Sequence, residues 1–252
     1  VIQRLIRGAS QWTLVPAPTA VWADAAYADL PANDRLPALW RTVFESFRLD
    51  ADDPLAAWEI HLAALARRRD ELNAARHRAI RYTGHGTDLR LALPGSHVWR
   101  TAQLATARGE PFVVNLPTEE IFTAPHKGSA TGRVHVSRPV VHAGSAIDGV
   151  TLEFINGRVV AGHATTGHEH LQQLLRTDDG ARRLGEVAIV PGRNRLNLAG
   201  RLFHHAILDE NACNHVALGD AYRFCSRAWI PLALNSSQIH LDLPLDATVE
   251  LS

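Results

Sequence analysis

The hydrophobic period of this chain changes from helical to alternating near Arg81, and that change limits the folds open to it more than any other feature. Before it, Leu36, Leu39, Trp40, Val43, Phe44 and Phe47 recur at helical spacing, which predicts a helix turning six apolar side chains to the core. Asp52 and Asp53 ahead of Pro54 offer an N-cap and a proline at the first helical position, opening a second helix through Trp58, Leu62, Leu65 and Leu72. Its Arg67-Arg68-Arg69 run reads as a solvated face answered by Asp70 and Glu71. After Arg81 the spacing turns to strands: Leu89, Leu91 and Leu93 alternate, Phe112 to Leu116 reads as a buried strand, and Val134, Val136, Val140 and Val141 mark others. Val150, Leu152 and Phe154 run into Asn156-Gly157 and out through Val159, the pattern of a tight hairpin. Gly167 to Arg176 reads as helix, Gly185 to Val190 as a short strand, Glu210 to Tyr222 as helix, and Ser237 to Leu243 alternates again. The expected fold is α+β, a mixed, largely antiparallel sheet with packed helices, helical over 1–80 and sheet-rich over 81–252.

A length of 252 residues is ample for a hydrophobic core without metal staples. Lys plus Arg and Asp plus Glu number 26 each, so no global charge draws the chain to nucleic acid or to an anionic membrane. No apolar run approaches the roughly 18 residues of a membrane span. Two cysteines, Cys213 and Cys225, are too few for a disulfide scaffold or a cysteine zinc cluster, which favours a reducing, cytoplasmic setting. There is no dinucleotide glycine fingerprint, Walker sequence, His-Glu-x-x-His or Gly-x-Ser-x-Gly.

The residues able to carry chemistry gather in the second half. Glu119 and Glu120 end an apolar segment, and a strand aims such neighbours at opposite faces, so one of them points into a given site. Glu186 lies in an otherwise apolar strand, where an unpaired charge costs several kilocalories and calls for a partner such as a metal ion. On the helix reading, His215 and Tyr222 share a face two turns apart, and Glu210 reaches the same site only from the turn that starts the helix. His240 and Asp242 lie two apart on one strand face, a pairing that suits a divalent transition metal. His168, His170, His204 and His205 read as exposed or capping residues.

Four blocks together resemble the M29 family of metallo-aminopeptidases, the aminopeptidase T and aminopeptidase S group. They are Asn115-Leu116-Pro117-Thr118-Glu119-Glu120 through Pro125; Arg183-Leu184-Gly185-Glu186-Val187-Ala188; Leu208-Asp209-Glu210-Asn211-Ala212 with His215 and Tyr222; and Asn235-x-Ser237-x-x-His240-x-Asp242. Tyr82-x-Gly84-x-Gly86-Thr87-Asp88-Leu89 and Trp58-x-x-His61 are also similar, so the likeness runs over almost the whole chain. The resemblance implies that Glu120, Glu186, Glu210, His215, His240 and Asp242 ligate two divalent ions, zinc or cobalt foremost and magnesium or manganese as substitutes. It implies Tyr222 as a transition-state hydrogen-bond donor, Glu119 as general base, a peptide with a free N-terminus as substrate, and a homodimer.

Two such ions sharing a water would lower its pKa and polarise the scissile carbonyl, and four carboxylates would balance their charge. The family portion matched is the C-terminal, catalytic one, so the resemblance implies an upstream domain absent here. After Asp242 the chain reads Leu243-Pro244-Leu245-Asp246, where the family has a Met-Ile-Gly type segment. Two other readings compete. One is a mononuclear iron dioxygenase of the 2,5-dihydroxypyridine type on His215, His240 and Asp242; the other is a non-catalytic, metal-stabilised interaction domain.

Overall fold

The fold was obtained as a computed structural model that describes residues 10–230 and 232–252. Among the described residues three helices come first: α1 (Ala20–Ala26), α2 (Ala32–Ser46) and α3 (Pro54–Ala75). Thr19 caps α1 through the Trp22 N–H, and Asp53 caps α3 through the Ala56 N–H with Pro54 opening the helix. On α2 only Leu39 and Val43 of the six expected core residues are fully buried. Trp40 and Phe44 are exposed and pack on each other at 5.2 Å, because they flank the stripe that meets α1.

Ten strands follow: β1 (Ala79–Gly84), β2 (Thr87–Ala92), β3 (Gln103–Ala105), β4 (Pro111–Val113), β5 (Ile121–Thr123), β6 (Thr131–His135), β7 (Val140–His142), β8 (Ser145–Ile147), β9 (Thr151–Ile155) and β10 (Arg158–His163). The buried strand expected from Phe112 to Leu116 is only the short, half-buried β4, paired with β3. Beyond it the backbone bridges to Leu14 and then meets Pro117, which has no N–H to continue a ladder. At the β9–β10 turn Asn156 and Gly157 take φ of 49° and 79°, as the hairpin signature requires.

The remainder runs α4 (His168–Leu174), β11 (Leu184–Ile189), α5 (Arg195–Leu198), α6 (Ala206–Glu210), β12 (His215–Gly219), β13 (His240–Pro244) and β14 (Ala247–Leu251). The helix expected from Glu210 to Tyr222 is not formed: helix ends at Glu210, and His215 to Gly219 is a strand paired on both sides. Val216, Ala217 and Leu218 form a short, fully buried apolar run, for which the ladders to β11 and β13 outweigh any helical preference.

Two antiparallel sheets enclose the main core, one in the order β10-β9-β6-β2-β1-β14 and one in the order β13-β12-β11-β5. Leu89, Val134, Leu152 and Phe154 of the first pack with Ile121, Val187, Val216 and Leu243 of the second. Tyr82 crosses between them and donates to the Ala188 carbonyl at 3.1 Å. A second cluster joins α1 and α2 to Leu196, Phe203, Leu208 and Ala212, which sets α6 beside the four-stranded sheet.

Candidate metal centre

Register in the four-stranded sheet decides which side chains meet. Ala188 pairs with Phe122 on one side and His215 on the other, Ala217 lies between Glu186 and Asp242, and Gly219 pairs with His240. With a period of two, Glu186, His215, His240 and Asp242 therefore share one face, and Glu120, two residues before Phe122, continues it. The opposite face carries Ile121, Val187, Val216, Leu218, Leu241 and Leu243, all in the core. Among the described residues Ala188, Ala217 and Gly219 stand between the acids and imidazoles, with Phe122 at the edge of the same face, so the polar side chains look into a cavity.

A bulge sets Glu186. The β11–β12 register shifts between Leu184 and Glu186, leaving Gly185 as the extra residue. A Cβ on Gly185 would lie 2.3 Å from the Asp220 carbonyl oxygen and 2.4 Å from that of Gly219, so only glycine fits.

Ligand atoms of Glu120, Glu186 and His215 fall within 4.8 Å of one another, and so do those of Glu186, His240 and Asp242, with Glu186 common to both groups. His215 Nε2 is 3.0 Å from Glu120 and 3.6 Å from Glu186; His240 Nε2 is 3.3 Å from Asp242 and 3.7 Å from Glu186. Each ring is aimed by its other nitrogen: His215 Nδ1 donates to the Glu210 carbonyl at 3.0 Å, and His240 Nδ1 to the Asp220 carbonyl at 2.9 Å. That arrangement leaves both Nε2 lone pairs for a metal. Glu210, the last residue of α6, lines the same cavity of about 220 Å³. It thus joins from the end of a helix rather than from the start of one.

The charge state favours a cation. Glu186 Oε2 is buried with no hydrogen-bond partner among the described residues. Burial pushes the Glu186 carboxyl up, and burial with the neighbouring Asp242 and Glu120 charges pushes Glu210 well above the usual range. Burial opposes charge on the imidazoles, yet Glu120 and Glu186 raise His215 well above its ordinary value, and Asp242 lifts His240 to about 10. Burial likewise opposes the charge of Asp242, but His240 holds it down at about 2. Protons here stand in for the positive charge a divalent ion would bring, and the oxygen and imidazole donor set suits such an ion.

Tyr222 sits outside any helix and lines the same cavity, its ring 5.2 Å from His240 and stacked on Phe224 at 5.1 Å. Burial, then the charges of Glu186 and Asp242, push its phenol well above 10, so it stays a donor. Glu119 is not brought into this cluster. Its carboxylate accepts from Arg48 Nη2 at 2.8 Å and lies 3.8 Å from His61 Nε2, while its N–H donates to Asn211 Oδ1 at 2.7 Å.

Sequence reasoning gave no role to several residues that the fold recruits. Trp12, Leu14, Val114 and Ile207 wall the cavity. Fully buried Asn211 ties the Glu119 backbone to α6, and Asp209, ion-paired to Arg138 at 3.0 Å, accepts from the Phe203 and His205 N–H groups. Asn211 and Asp209 stood within a matched block; the wall residues carried no signal.

Comparison with known proteins agrees with this geometry. Aminopeptidase T of Thermus thermophilus is 41% identical over 239 residues, covering 92% of this chain and 59% of the relative. Aminopeptidase 2 of Geobacillus stearothermophilus is 42% identical over 211 residues, covering 84% and 51%. The chain thus spans little more than half the length of these relatives. The solved structure of wild-type AmpT from Thermus thermophilus superposes with a TM-score of 0.89 at 36% identity, over 99% of this chain and 65% of that one. A 2,5-dihydroxypyridine dioxygenase from Pseudomonas putida has a TM-score of 0.50 at 16% identity, over 73% and 54%, a likeness of fold alone. The family model described as thermophilic metalloprotease (M29) matches residues 1–249, and the chain belongs to that family.

Proposed function

We propose that this chain is the metal-bearing portion of an aminopeptidase that hydrolyses the N-terminal peptide bond of peptides. The observation that carries the reading is one sheet face on which two three-ligand groups share Glu186. In this reading Glu120, Glu186, Glu210, His215, His240 and Asp242 hold two divalent ions, zinc or cobalt first and magnesium or manganese as substitutes. Such ions would supply a water of lowered pKa and a Lewis acid for the scissile carbonyl.

The chain's own residues do the rest. The walls of Trp12, Leu14, Val114 and Phe122 exclude water from the bound N-terminal residue. Tyr222 donates a hydrogen bond to the oxyanion as it forms. Glu119 is kept as the candidate for the proton role, its segment held by His61, whose Nε2 donates to the Thr118 carbonyl at 2.7 Å. Among the described residues no helix is long and apolar enough to cross a membrane. Both cysteines are free thiols, which supports a reducing, cytoplasmic setting.

The test is the chain loaded with zinc or cobalt and offered unblocked and N-acetylated amino-acid amides. Cleavage of the unblocked amides alone is expected, and equal cleavage of both overturns the reading. Metal content near two ions per chain is expected; a single iron favours the dioxygenase chemistry, and none a binding domain. His215→Ala is expected to abolish metal-dependent turnover.

A further inference from the structure

On the side of Glu119 away from the metal face lies a second cavity, of about 660 Å³. Its rim brings together Arg48 from the turn after α2, Arg67 and Arg68 from α3, Arg193 from the loop leading into α5 and Arg195 from the first position of that helix. Five guanidinium groups there face two carboxylates, Glu71 and Glu119, in a chain whose formal charge is zero. Arg48 is bound to Glu119, Arg195 to Asp50, and Arg67 reaches Glu71 only at 4.0 Å with both ends exposed. Arg69 turns to Asp70 instead, at 2.8 Å. Among the described residues Arg68 and Arg193 have no acidic partner, although they stand on two different walls of one concavity.

Guanidinium forks from separate walls match an oxyanion carrying more than one negative charge, and a lone carboxylate would use one fork only. Ala64, Leu65 and Pro191 add apolar surface, and the space exceeds a bare anion. We infer that this cleft binds the phosphate group of a small phosphorylated molecule, with Arg68 and Arg193 as its main contacts. The Arg67-Arg68-Arg69 run is therefore not only a solvated face: two of its three members border a site.

Inorganic phosphate titrated calorimetrically into the metal-free chain, with chloride holding ionic strength constant, tests this without involving the metal centre. One binding event per chain is expected, weakened about tenfold for each guanidinium lost in Arg68→Ala and Arg193→Ala. Both residues are exposed, so neither change threatens the fold, and thermal melts confirm it. Arg68→Lys with Arg193→Lys keeps the charge and loses the forks, and intermediate affinity is expected. Phenyl phosphate binding more tightly than inorganic phosphate assigns a phosphomonoester, and equal or weaker binding assigns the free ion; either supports the site. No heat beyond the chloride control, an isotherm unchanged in the double alanine variant, or saturation by citrate with none by phosphate overturns the proposal. Any of these would leave the aminopeptidase reading intact, because no metal ligand is changed and no metal is present.

Discussion

Glu119 and Glu120 are adjacent in sequence and belong to different environments, since one backbone step turns one carboxylate to His215 and the other to Arg48 and His61. Alternation along an extended segment made that divergence legible, but it could not say which acid went where. The partner that settles it, Arg48, is 71 residues away in sequence. If Glu119 moves the proton, Glu119→Gln lowers kcat by about 10² to 10⁴-fold with metal content unchanged. If it serves only to neutralise Arg48, steady-state kinetics stay at the wild-type level and the melting temperature falls. Metal analysis beside the kinetics separates these outcomes from loss of an ion.

At the level of elements, the signals that were local were legible. Asp53 and Pro54 announced α3, and Asn156-Gly157 announced the β9–β10 turn, because capping and positive φ act within a few residues. β12 was not legible: His215 and Tyr222 lie seven apart, which mimics two helical turns, and only pairing to β11 and β13 reveals a strand. His240 and Asp242 were placed on one strand face by their spacing, and β13 puts them there. The bulge at Gly185 is the element-level device that aims Glu186. Gly185→Ala is expected to cost about 1–3 kcal/mol in chemical denaturation as the Asp220 and Gly219 carbonyls are pushed away. Metal affinity should fall about 10- to 100-fold although no ligand is altered, as titration calorimetry would read.

For the molecule as a whole, the metal face makes stability depend on pH. His240 has its folded pKa raised from 6.5 to about 10, so its stabilising effect is complete below about 6.5 and disappears as pH rises through about 10. Asp242 behaves oppositely: lowered from 3.8 to about 2, it stabilises above 3.8, and that effect disappears as pH falls through about 2. The metal-free chain is therefore expected to lose stability between pH 7 and 10 in thermal melts. Zinc or cobalt should remove that decline, because the ion replaces the protons and releases them on binding. At 100 times Kd one bound ion adds about 2.7 kcal/mol, or very roughly 5–10 °C in a chain of this size.

Ala188 and Ala217 give the centre a property that its candidate ligands do not possess. A methyl or two added at Ala188 or Ala217 would fill the space with every candidate ligand in place, whereas a Cβ on Gly219, at φ 103°, would lie 2.0 Å from the Ile239 carbonyl oxygen and push away the strand that carries His240. A relative could thus keep all six acids and imidazoles and still be barren, and a search keyed to those six would pass it. Whether such a face can hold an ion is written as much in its two alanines as in its most reactive residues.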